Sequence, residues 1–226
     1  MMLFHILNRG VDKRTIFLDE KDHVRFMHDM FEFNDVANVD TNNTRNFQIL
    51  DVRRPVFEKV GRRKRILLVH IHAFCLMPNH YHLLVSPLAH DGVPLFMKKL
   101  NGVYAKYFNE RYERSGALFQ GKYKSVPIDS DRHFSWIPYY IHFNPLDLTL
   151  PEWRERGIKN PKMAAEHLNT YRWSSHLDYM GKKNFPSLTQ REFLLEFFEG
   201  EKGYAKSIPE MLKNFSVTTG KNLALE

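Results

Sequence analysis

Two histidines stand two residues apart at the head of an apolar run, in Met77-Pro78-Asn79-His80-Tyr81-His82-Leu83-Leu84-Val85. The Pro-Asn pair marks a turn, and the apolar residues after it read as a strand. Alternate residues of a strand point to one face, so His80 and His82 present two imidazoles side by side. Neutral imidazole is a common metal ligand, and two on rigid backbone make half of a divalent-metal site. An ion there, next to a phosphate, would polarise a non-bridging oxygen and offset charge in the transition state. Mg²⁺ prefers oxygen ligands and two imidazoles suit Mn²⁺ as well, so the expected cofactor is Mg²⁺ or Mn²⁺. The bare His-apolar-His pattern has little specificity, because His70-Ile71-His72 repeats it. Those two residues precede the turn and are read as structural.

Chemistry at a phosphate also needs a nucleophile. Phe96, Leu100, Val103 and Tyr107 fall at helical spacing, which predicts a helix from about Pro94 to Ser115 with these residues as its core stripe. Tyr107 is thereby assigned to the core. Tyr104 lies about 100° round the helix from Val103, on the flank of the stripe, where its phenol can reach past the core edge. A phenol oxygen attacking a DNA phosphate gives a covalent phosphotyrosine. A third protein ligand would come most simply from the helix facing the sheet.

The elements that must position these groups follow from the pattern. Phe4 to Leu7 reads as a strand that ends near Gly10. Asp19 is a plausible cap for a helix from Glu20 to about Phe33. Ile66–Met77 and His80–Ser86 read as an antiparallel pair about the Pro-Asn turn. After the tyrosine-bearing helix, Leu118–Ile128 is a basic, aromatic strand, and Asp129 or Ser130 caps a further helix to about Phe143. The order β-α-β-β-α-β predicts an α+β, ferredoxin-like (RRM-like) domain with an antiparallel sheet and both helices on one face. The expected division is a catalytic domain over 1–150, interrupted by a polar and basic insertion at about 34–65, and a helical extension over 151–226. Pro151, Gly157 and Pro161 read as a linker between the two.

Composition narrows the partners. Lys plus Arg number 33 against 26 Asp plus Glu, a net charge of +7, and the basic residues cluster between Arg53 and Arg65 and from Lys98 to Lys124. This distribution favours a nucleic-acid binder. Arg9, Arg111, Lys122 and Lys124 are candidate phosphate contacts, while Phe119 and Tyr123 could stack on unpaired bases. No apolar run approaches the roughly 20 residues of a membrane span. The single Cys75 excludes an internal disulfide and suits a reducing cytosol, so a cytoplasmic location is expected.

Several blocks together resemble the HUH single-tyrosine transposases, in particular the REP-associated tyrosine transposase branch. They are Asn8-Arg9-Gly10, the Met77–Val85 stretch, Tyr104-Ala105-Lys106-Tyr107-Phe108-Asn109, Gly116–Tyr123, Tyr140-Ile141-His142-Phe143-Asn144-Pro145 and Tyr171-Arg172-Trp173-Ser174-Ser175. The resemblance spans roughly Phe4 to Gly181. It implies an RRM-like catalytic domain, a divalent metal on His80 and His82, and Tyr104 as nucleophile toward single-stranded or hairpin DNA through a 5′-phosphotyrosine. It also implies a third metal ligand, an amide side chain, from the tyrosine's helix. Phe108, one turn after Tyr104, cannot ligate, which leaves both Asn109, about 140° from the Tyr104 direction, and Asn101, at i−3 on the same face, open. The rival readings are a nickase of the replication-initiator or relaxase kind and a catalytically retired nucleic-acid-binding module. Both monomer and homodimer are compatible with the sequence.

Overall fold

The computed structural model describes residues 1–37 and 65–214. The proposed insertion at about 34–65 and its basic cluster lie almost entirely outside the described residues. Strand β1 (Leu3–Arg9) leads to helix α1 (Glu20–Glu32), then β2 (Val69–Met77), β3 (His80–Pro87), α2 (Gly92–Arg111), β4 (Lys124–Ile128) and α3 (Asp131–Phe143). The strands form one four-stranded sheet in the order β2-β3-β1-β4, antiparallel at every pairing. The expected α+β domain is therefore present.

Local chemistry explains the boundaries. The Asp19 carboxylate accepts from the Asp22 amide to cap α1, and the Ser130 hydroxyl accepts from His133 to cap α3. Helix α2 starts two residues ahead of Pro94, at Gly92. A Cβ on Gly92 would come within 2.3 Å of the Leu68 carbonyl oxygen, so this start requires glycine.

Side chains alternate between the two faces of the sheet. Ile6, Phe74, Leu76, Tyr81, Leu83 and Val85 pack under α1 and α2 with Phe26, Met30, Phe96, Leu100 and Tyr104. Both of those helices share one face, as the element order predicts. The opposite face is not left open. Leu3, Ala73, Cys75, Met77 and Leu84 pack under α3 and the C-terminal segments.

Those segments are α4 (Trp153–Arg156), α5 (Pro161–Leu168), α6 (His176–Tyr179), α7 (Glu192–Phe197) and α8 (Gly200–Asn214). The stretch read as a linker is anchored, since Trp153 is buried in the second core. The outer edge of β2 is covered as well. Trp173 O accepts from Leu76 N, Ser175 N donates to Phe74 O and Gln190 N donates to Ile71 O. An exposed strand edge invites pairing with other chains, and this covering removes that exposure. Among the described residues, no helix is long and apolar enough to cross a membrane.

Candidate metal and nucleophile site

Strand β3 places His80 and His82 on the face covered by α3, and β1 sets Arg9 opposite His80 and Leu7 opposite His82. The two imidazole centroids are 5.0 Å apart at 83°. Each ring is held through its Nδ1. His80 Nδ1 lies 2.6 Å from the Asn79 Oδ1 acceptor, so that nitrogen carries the proton and Nε2 carries the lone pair. His82 Nδ1 lies 2.9 Å from His5 Nε2, and the His5 and His82 rings stack at 5.1 Å. This is how neighbours orient metal-ligating histidines. Burial, then Arg154 and Arg9, holds the His82 pKa well below the ordinary imidazole value, so the ring is neutral and able to ligate.

Helix α3 brings Tyr140 and Asn144 to the same place, four residues apart on one helix face. The Tyr140 ring meets His82 edge-on at 5.7 Å and stacks on Trp136 at 4.5 Å. The Asn144 side chain lies near His82, and its Nδ2 donates to the Tyr140 carbonyl. Arg154, from α4, closes the group. Its Nη1 donates to Tyr140 Oη at 3.0 Å and its Nη2 to Asn144 Oδ1 at 2.8 Å. Its Nε and Nη2 also engage the Asp147 carboxylate. Beside His80 a cleft of about 370 Å³ opens, lined by Arg9, Lys13, Thr15, Asn79 and Asp147 among others.

The tyrosine expected from the sequence is elsewhere. Tyr104 is fully buried under α1, ringed by Phe17 and Phe26, and its hydroxyl donates to the Ile16 carbonyl at 2.5 Å. Burial pushes its pKa well above the ordinary phenol value. Because α2 packs on the opposite face of the sheet, Tyr104 is not brought to the histidines.

The same correction applies to both amide candidates. Asn101 Oδ1 accepts from Tyr81 on the α1/α2 side. Asn109 is tied to Gly116 O and Arg114 at the end of α2. Among the described residues, no group of three or more His, Cys, Asp or Glu side chains is placed to hold a metal ion. Two imidazoles with the Asn144 amide oxygen form a donor set that suits Mg²⁺ or Mn²⁺, so the residues present fit such an ion.

The basic candidates separate in the same way. Arg9 lines the cleft. Arg111 is tied to Asp19 and to the fully buried Asp22, which makes it a clamp between α1 and α2. Lys122 and Lys124 are exposed near β4, Tyr123 packs half-buried against the α1/α2 core, and Phe119 lies within that core. His72 is structural, between Ser86 and Gln190. Sequence reasoning missed His5, Tyr140, Asn144, Asp147 and Arg154 as site residues. Tyr140 and Asn144 did carry a signal, since they share a helix face within one of the family-like blocks.

Residues 41–144, a little under half of the chain, match the family described as transposase IS200-like. The match connects the chain to the transposases and agrees with the resemblance read from the sequence. No curated protein matches. Among solved structures, one described as a REP-associated tyrosine transposase bound to a REP hairpin is 12% identical, with a TM-score of 0.45 and 82% of each chain covered. Another, from Deinococcus radiodurans R1 and provisionally described as a transposase, is 18% identical, with a TM-score of 0.33. It covers 62% of this chain and 87% of its own.

Proposed function

We propose that this relative of the IS200-like transposases cuts and rejoins single-stranded DNA next to hairpins, with Tyr140 as the nucleophile. The observation that carries this reading is the grouping of Tyr140, Asn144, His80 and His82 on one face of the sheet beside a basic cleft. Tyr140 Oη attacks a phosphodiester, the oxygen–phosphorus bond to the tyrosine forms and the bond to the 3′ oxygen breaks. The phenol proton passes through solvent to the departing 3′ oxygen, so the released strand ends in a 3′-OH and the protein is joined to the 5′ phosphate. Reversal by another 3′-OH rejoins the strand, so bond energy is conserved through the covalent intermediate.

His80, His82 and Asn144 would hold a Mg²⁺ or Mn²⁺ ion. When bound, the ion would polarise the non-bridging phosphate oxygens and offset developing charge. The chain's own residues do the rest. His5 and Asn79 fix the two imidazoles, Arg9 and Lys13 attract the DNA backbone into the cleft, and the packing of α3 holds Tyr140 against His82. A 3′-labelled oligonucleotide carrying a hairpin and an unpaired flank tests the reading. A labelled band at the protein's mass in denaturing gels, present in wild type and absent from Tyr140→Phe, is the expected result. Adduct formed by Tyr140→Phe as readily as by wild type would refute the assignment.

A further inference from the structure

We infer that Arg154 is a further catalytic residue, set by Asp147 so that one guanidinium holds both the attacking oxygen and the amide oxygen. This inference rests on the strand-transfer reading. Arg154 lies ten residues past the end of the family match at 144, on α4 of the C-terminal extension. The extension therefore completes the site in cis rather than only covering it.

The geometry carries the inference. Nη1 donates to Tyr140 Oη at 3.0 Å, and Nη2 donates to Asn144 Oδ1 at 2.8 Å. The remaining edge, through Nε and Nη2, is bonded to Asp147 at 2.8 Å on each carboxylate oxygen. Asp147 is in turn fixed by Trp153 Nε1, and the Arg154 guanidinium lies 5.0 Å from the Tyr140 ring centroid and 4.9 Å from that of Trp153. Only a planar fork with donors on several sides can meet three acceptors at once, and a lysine ammonium cannot copy it.

A guanidinium on the phenol oxygen acts in both directions of the reaction. It offsets negative charge on that oxygen as the proton leaves and again when the tyrosine departs during rejoining. Arg154 makes and breaks no covalent bond itself; the bonds exchanged remain tyrosine oxygen–phosphorus and phosphorus–3′ oxygen. Fixed donors aimed at developing charge are worth about 10²–10³ in rate.

The test compares wild type, Arg154→Ala and Arg154→Lys with the labelled hairpin oligonucleotide under saturating Mn²⁺. Single-turnover adduct rate, oligonucleotide Kd and thermal melting are all measured. We expect Arg154→Ala to lose about 100-fold in adduct rate with less than about threefold change in Kd. Methylguanidinium added to the solution should restore at least ~tenfold of the rate, saturably, because it fills the vacated fork. Arg154→Lys should keep the ion pair with Asp147 and a near-native melting curve, yet stay within about tenfold of the alanine variant's rate.

An unchanged rate in either folded variant overturns the inference, as does a loss confined to Kd or a complete failure of rescue. A wild-type chain that forms no adduct at all would instead sink the strand-transfer reading, and this inference with it.

Discussion

The two faces of the sheet bury similar aromatic residues and use them differently. Under α1 and α2, the Tyr104 hydroxyl donates to a neutral carbonyl and Tyr81 donates to Asn101. Each phenol there is a satisfied core group. Under α3, Tyr140 is equally buried, but its oxygen accepts from a cation, and two imidazoles and an amide stand beside it. Burial alone does not separate an inert tyrosine from a nucleophile. The whole set of partners does: a carbonyl acceptor holds the Tyr104 phenol in its protonated form, whereas the guanidinium donor on Tyr140 favours negative charge beside the imidazoles. Tyr107, on the other face, also meets a guanidinium, but its hydroxyl donates to the Asp22 carboxylate and burial pushes its pKa up to about 12.

The sharpest break in this comparison is a pair of single-atom deletions. Tyr140→Phe should lower adduct formation by about 10³-fold or more with little change in melting. Tyr104→Phe should leave the adduct intact and cost about 1–2 kcal/mol of stability, because the Ile16 carbonyl loses its buried donor. The reverse result would return the site to the other face.

A smaller effect concerns ion binding. His5→Phe keeps an aromatic ring against His82 but removes the nitrogen facing His82 Nδ1. Mn²⁺ affinity measured by calorimetry should fall about 10–100-fold, and chelation of the ion should abolish the adduct in wild type.

Acid should separate the two faces next. Burial holds His72 down to about 4 and His176 to about 3, and His142 well below the ordinary value. These imidazoles are neutral in the fold and titrate near 6.5 when unfolded. Their contribution is intact above about pH 6.5 and is lost as pH falls toward the folded values, because the unfolded chain then takes up more protons. For His72 the loss is of order 3 kcal/mol at most. Hydrogen exchange at pH 4.5 should therefore open the 172–190 segment along β2 before α1 and α2.

The smallest expected effect distinguishes two arginines. Arg9→Ala should weaken oligonucleotide binding and reduce its salt slope by about one. Arg111→Ala should leave that slope unchanged and lower the melting temperature, since buried Asp22 loses its ion pair.

Much of the frame is legible in the chain. The Pro-Asn turn, the His80/His82 alternation and the capping residues Asp19 and Ser130 are local signals, and the sheet and helices follow them. The Tyr104 reading fails for a definable reason. Helical spacing shows which residues share a face of α2, but it does not show which face of the sheet that helix covers. Tyr104 lies on the flank of the apolar stripe, and the pocket beneath Ile16 encloses it.

His5, Asp147 and Arg154 carry no local pattern at all. Their meeting depends on β1 lying beside β3 and on the chain after α3 turning back over the sheet. Periodicity, turn residues and caps act over a few positions, so the sequence alone determined the order of the elements, the antiparallel pair about the Pro-Asn turn and the paired histidines, while the expected strand over Leu118–Ile128 is regular only over Lys124–Ile128. Contacts such as Arg154 with Tyr140 or His5 with His82 join residues whose separation is fixed only once the whole core has packed. For that reason, only the tertiary structure decided which tyrosine stands beside the histidines.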